Sequence, residues 1–181
     1  MKKNWFWLFS LVLTASALTF TACETDPCKD VDCGANGTCF DGACVCDVGY
    51  EQDAEGKCTV ETRTKFTGNW RVNEECVDVI DNTKYPASFN IIMNGKVGDI
   101  ERITITGFGN SGTSTINAKV NNNAVTIDAN QKITEVSSGV EFLVLDGAGT
   151  LTGNTLNFTY KLGNPANAKV EFNCTASAVK L

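Results

Sequence analysis

Sulfur is the reactive element of this sequence. Its 181 residues hold nine cysteines and no histidine, so the commonest general base and the commonest zinc ligand are both missing. A thiol can be oxidised to a disulfide, ligate a metal or be acylated, and in an exported chain an odd number of them calls for one sulfur with a fate other than pairing. The carboxylates add little. Glu74 and Glu75 are neighbours in a strand-like segment and point to opposite faces. Asp146, beside Val144 and Ala148, is the one odd acid on an apolar face. No acid and base are thereby set within reach of one substrate, so an enzyme is not expected and neither is a cofactor.

The first cysteine closes an apolar leader. Met1-Lys2-Lys3 supplies positive charge, and Trp5 to Phe20 is apolar apart from Ser and Thr, which are the two halves of a secretory signal. The run is shorter than the ~20 residues a membrane-spanning helix needs. Phe20-Thr21-Ala22-Cys23 resembles the lipobox of bacterial lipoproteins. That resemblance implies removal of residues 1–22, acylation of Cys23 with palmitate-type chains, and a short lipidated tether over 23–27. Two or three chains hold a protein to a membrane where one is marginal. The membrane is thus the first expected partner, with the chain anchored to a bacterial outer membrane and, from the acids that follow Cys23, exposed at its surface. Lipidated Cys23 leaves eight cysteines to pair.

Six of those eight fall at 28, 33, 39, 44, 46 and 58, in a stretch with almost no apolar side chains. Only cross-links could hold so small a module, and six cysteines allow fifteen pairings. Asp41-Gly42, midway between Cys39 and Cys44, signals a tight hairpin turn. Gly37-Thr38-Cys39, Cys44-Val45-Cys46-Asp47-Val48-Gly49-Tyr50 and Gly56 before Cys58 make 28–58 similar to an EGF-like domain. The resemblance implies Cys28–Cys39, Cys33–Cys44 and Cys46–Cys58. Some EGF-like domains bind calcium, and Glu24 and Asp26 are the residues such a site would use. Only four residues separate the third and fourth cysteines here, too few for that family's ligand arrangement, so no metal is expected. The module is strongly acidic, with nine acids and two bases over 24–59. The rest of the mature chain is nearly balanced and carries no basic stripe, which excludes nucleic acid as a partner.

After a linker over 59–65, the pattern turns to period two. Leu156, Phe158, Tyr160 and Leu162 alternate with Asn157, Thr159 and Lys161, and similar sets recur from Phe66 to the end. Asn121-Asn122-Asn123 and Gly153-Asn154 read as turns. About eight short strands and no helix predict a mainly β domain over 66–181. An antiparallel up-and-down barrel is favoured because closure removes exposed edges, with a two-sheet sandwich as the alternative. In a closed meander the first and last strands are antiparallel neighbours, which brings Cys76 and Cys174 together for a fourth disulfide. Phe66-Thr67-Gly68-Asn69-Trp70 resembles the F-x-G-x-W of lipocalins and related calycins. This implies that Gly68 and Trp70 belong to a barrel-closing motif, with Trp70 plugging one end. The last strand carries no arginine to stand over it, as that family has.

The resemblance also implies a small apolar ligand in the barrel mouth, with Phe89, Ile91, Ile105, Phe142, Phe158, Tyr160 and Phe172 as lining residues. The expected role is a membrane-anchored binding module. The alternative is an adhesion or scaffold protein, meeting an extracellular protein through the EGF-like module and the barrel surface, with the barrel filled by its own side chains.

Overall fold

The computed structural model describes residues 26–181; the leader, Cys23 and Glu24 lie outside them. Two hairpins form the cysteine-rich module: β1 (Gly37–Phe40) with β2 (Ala43–Cys46), and β3 (Tyr50–Gln52) with β4 (Cys58–Glu61). Asp41 and Gly42 both take positive φ, 50° and 80°, as the mirror-image turn of a two-residue hairpin requires. Disulfides link Cys28 to Cys39, Cys33 to Cys44 and Cys46 to Cys58, the same pairs that the EGF-like resemblance implies. Cys33 and Cys58 are the module's only buried hydrophobic side chains among the described residues. Its core is sulfur.

The stretch 59–65 is not a free linker. It continues β4 and then winds through a 3-10 turn, Thr62–Lys65, with Thr62 buried. The chain enters a sheet of nine strand segments: β5 (Gly68–Asp78), β6 (Lys84–Gly95), β7 (Arg102–Thr106), β8 (Thr115–Asn121), β9 (Ala124–Ile127), β10 (Gln131–Thr134), β11 (Glu141–Thr152), β12 (Thr155–Gly163) and β13 (Val170–Lys180). Each pairs antiparallel with its successor except β9 and β10, which lie end to end along the same edge of β11. They count as one interrupted strand. Pairing of β13 with β5 closes the ring, giving an eight-stranded up-and-down barrel rather than a sandwich.

Alternation decides which face of each strand is buried. Trp70, Val72, Glu74 and Cys76 of β5 point inward, as do Phe89, Ile91 and Met93 of β6 and Leu156, Phe158, Tyr160 and Leu162 of β12. Cys76 and Cys174 stand directly opposite on β5 and β13 and are joined across the closing seam. One end of the barrel is shut. Trp70 is fully buried there, its indole nitrogen donating to the Phe66 carbonyl at 2.7 Å. Lys180, opposite Trp70 on β13, sets its ammonium 5.7 Å from the ring centroid. A lysine of the last strand thus supplies the cation over the tryptophan.

The middle of the barrel is filled as well. Phe108, from the 107–114 loop, folds inward to lie 4.5 Å from the Tyr160 ring and 5.7 Å from Phe158. Gly149 of β11 makes room for that packing, since a Cβ there would sit 2.7 Å from the Phe158 Cβ. Only about 10 Å³ of empty space is left between Met93, Phe108, Leu156 and their neighbours, at the lower limit for one water.

Candidate functional site

The strands run so that loops 79–83, 107–114, 135–140 and 164–169 gather at the end opposite Trp70. That end is open. A cavity of about 560 Å³ lies at this end, bordered by loops 107–114 and 135–140 and walled by Tyr85, Val140, Phe142, Leu162 and Phe172, within the range usual for small-molecule sites. Phe172 meets Tyr85 and Phe142 edge-on, with ring centroids 5.7 and 5.6 Å apart. Two apolar side chains of the loops at this end stand exposed, Ile80 at 80% and Val136 at 63%.

Glu74 lies at the inner wall of this cavity, with 9% of its surface exposed. Tyr160 donates its hydroxyl to Glu74 Oε2. The other oxygen, Oε1, is 3.4 Å from Cys76 Sγ, but that sulfur is bound to Cys174 and has no hydrogen to give. Oε1 therefore lacks a donor among the described residues. Burial pushes the Glu74 carboxyl up to about 7 against the partial opposition of the Tyr160 hydrogen bond, and the charge of Glu135 adds to the rise. Tyr160 is itself raised well above its ordinary range, by burial first and then by the adjacent carboxylate.

Glu135 also borders the cavity, in a contrasting environment. Burial works against its charge, but the hydroxyl and amide of Ser137 and the amide of Ser138, at 2.7 to 3.0 Å, outweigh it and bring the carboxyl down to about 2. The Asn110 amide nitrogen donates to it as well, at 2.9 Å, tying loop 107–114 to loop 135–140. Lys84, at the edge of the cavity, pairs outward with Glu75 at 2.9 Å. The cavity wall therefore carries two carboxyl groups, one fully hydrogen-bonded and one half-bonded.

Of the seven expected lining residues, Phe142 and Phe172 reach the mouth. Phe89, Ile91, Ile105, Phe158 and Tyr160 are packed into the core instead, because Phe108 closes off the barrel beneath the mouth. The expectation for Asp146 is also corrected. A bulge between Val144 and Asp146 shifts the alternation of β11, so Asp146 faces out and pairs with Lys161 at 2.9 Å. The acid on an apolar face is Glu74, and its signal was the inward series Trp70, Val72, Glu74, Cys76. Asp26, the one calcium candidate among the described residues, accepts from the Cys28 amide at 2.9 Å. No group of three or more Cys, Asp or Glu among those residues is placed to hold a metal ion.

A larger depression of about 850 Å³ lies on the outer face of β5, β6, β9 and β11 to β13. It is open and bordered by small side chains such as Thr126, Ala148, Thr159 and Thr175, with no buried charged group other than Glu74 behind it. The convergent polar chemistry is in the mouth.

Fold and site together define a closed eight-stranded barrel, plugged at one end and hollow at the other. No family model matches the sequence and no curated protein matches it. Among solved structures it is similar to a protein of unknown function from the DUF3598 family of Nostoc punctiforme, with 15% identity and a TM-score of 0.43. That match covers 65% of this chain and 48% of the other, so the chain spans about half the length of that protein.

Proposed function

We propose that the protein is a membrane-anchored binding lipoprotein. Acyl chains on Cys23 tether it, the EGF-like module spaces it from the membrane, and the lipocalin-like barrel takes a small, largely apolar molecule into its open mouth. The observation that carries this reading is the half-filled barrel. Packing that fills the lower barrel to within about 10 Å³ leaves about 560 Å³ at the mouth, walled by Tyr85, Phe142, Leu162 and Phe172. An open, largely apolar hollow of this size holds water that a small apolar molecule would displace favourably. Exposed Ile80 and Val136, on loops at the same end of the barrel, add apolar surface there.

The test is binding of a polarity-sensitive apolar dye to the mature protein, with native mass spectrometry reporting any retained ligand and the mass of the acylated amino terminus. One dye is expected per chain, and Phe172→Arg should abolish binding while leaving the thermal melt of the barrel in place. Equal binding by that variant would remove the mouth as the site. A mature mass without acyl chains would remove the anchor.

The adhesion alternative draws on a different observation: Phe40, Val45 and Val48 stand exposed on the module. It requires a protein partner that survives filling of the mouth with dye.

A further inference from the structure

The half-bonded carboxylate in the mouth has a consequence for ligand class. We propose that Glu74 anchors the head of a cationic amphiphile, an apolar molecule bearing a protonated amine, which enters head first and supplies the donor that Oε1 lacks. This rests on the reading of the mouth as a ligand site and narrows it.

Three features favour an ammonium over a hydroxyl or a carboxylate. Oε1 is a buried acceptor bordering the cavity with no protein donor, and a buried acceptor left unmet is costly. A cationic donor meets it with a charge-assisted hydrogen bond, roughly twice as strong as a neutral one. Second, every charge on the inner wall is negative. Glu135 borders the same space and stays ionised, while Lys84, the one cation at the edge, is drawn outward to Glu75. A fatty acid would bring a third carboxylate into that field. Third, Tyr160 already donates to Oε2, which holds the carboxylate in place and leaves Oε1 as the oxygen still able to accept from an incoming group.

The geometry also sets a pH dependence. The groups facing Glu74 are Tyr160 from β12, Glu135 from the 135–140 loop and Lys84 at the edge of β6; its cross-strand neighbours Ala87 and Ala176 carry no charge. Tyr160 stays neutral and Glu135 stays ionised through the neutral range. Glu74, near 7, is the wall carboxyl that changes state there. An alkylammonium keeps its charge throughout, since its pKa is close to the ~10.4 of lysine.

The experiment is calorimetric titration of the full mature protein with octylamine, octanol and octanoate, at about pH 8.5 and about pH 5.5. At the higher pH octylamine should bind at least ~10-fold more tightly than either of the others. At the lower pH its advantage should fall ~10-fold or more, because most of the Glu74 population is then protonated. Glu74→Gln, which keeps an oxygen for Tyr160, should remove the preference at both pH values yet still bind octanol. If octanol binds and octylamine gains nothing over it, or if octanoate binds best, the amine assignment is overturned and the mouth survives as an apolar site. If none of the three binds, the mouth reading fails and the assignment falls with it.

Discussion

At the scale of single residues, Glu74 works against the fold that contains it. Its carboxyl titrates near 7 in the folded chain, against an ordinary value of 4.5. Between those two pH values the folded protein holds a proton that the unfolded chain has released, so stability falls as pH rises through this window and levels off above it. The shift corresponds to a loss on the order of 3 kcal/mol, at about 1.4 kcal/mol per unit. Glu135 acts in the other direction and elsewhere on the scale. Its depressed carboxyl contributes stability that is present above about 4.5 and is lost as pH falls toward about 2. Glu74→Gln should therefore raise the free energy of unfolding by ~1–3 kcal/mol at about pH 8, change it little near pH 4, and flatten the slope between. Urea titrations across that range measure this directly. A variant less stable than wild type at pH 8 would mean that Oε1 has a partner which glutamine cannot serve. Residues that lower stability in this way are the usual cost of a preformed site.

At the scale of elements, much of the barrel could be read from alternation alone. The faces of β5, β6, β8 and β12, the turns at Asn122 and Gly153, and the meander order follow from period two and turn residues. Three things did not. The bulge of β11 is a single-residue slip, and nothing in Val144-Leu145-Asp146 announces it. Phe108 sits on a loop, where periodicity says nothing about direction; flanking Gly107 and Gly109 were the available hint that the chain turns sharply inward there. The break between β9 and β10 is held by a side chain acting as backbone. Gln131 accepts from the Asn117 amide at 2.6 Å and donates to the carbonyls of Asn117 and Asp128 at 2.9 and 2.7 Å. That amide is where the ladder between β8 and β9 ends, so no strand partner remains for it on that side. Gln131→Leu should cost about 1–3 kcal/mol, the penalty for a half-buried donor left unpaired, and should speed hydrogen exchange at Asn117 ahead of its strand neighbours. Unchanged exchange there would show that the ladder, not Gln131, bridges the gap.

At the scale of the whole chain, the cysteine-rich module meets the barrel at its closed end, opposite the mouth. The joint is specific. Arg63 donates to the carbonyls of Lys96 and Asp99 at 2.7 and 2.8 Å and to Glu61 at 2.7 Å, stapling the start of the barrel to the turn between β6 and β7. Gly95 permits this, because a Cβ there would lie 3.1 Å from the guanidinium carbon. Around that staple, Gly49 packs on Ile100, the Thr62 amide donates to the Gly49 carbonyl at 2.8 Å, and Lys65 joins Glu51 of the module to Asn123 of the barrel at 2.5 and 2.8 Å. A guanidinium that satisfies two carbonyls at once is hard to replace by water without losing register, and its removal should cost the joint about 1–3 kcal/mol. Arg63→Ala is therefore expected to leave both parts folded, the module by its three disulfides and the barrel by its closed ladder, but to uncouple them. Backbone nitrogen relaxation should then give the module a shorter rotational correlation time than the barrel, whereas the native chain is expected to give one value for both. If the variant still tumbles as one body, the Lys65 bridge and the Gly49–Ile100 contact hold the joint by themselves, and Arg63 serves only the β6–β7 turn.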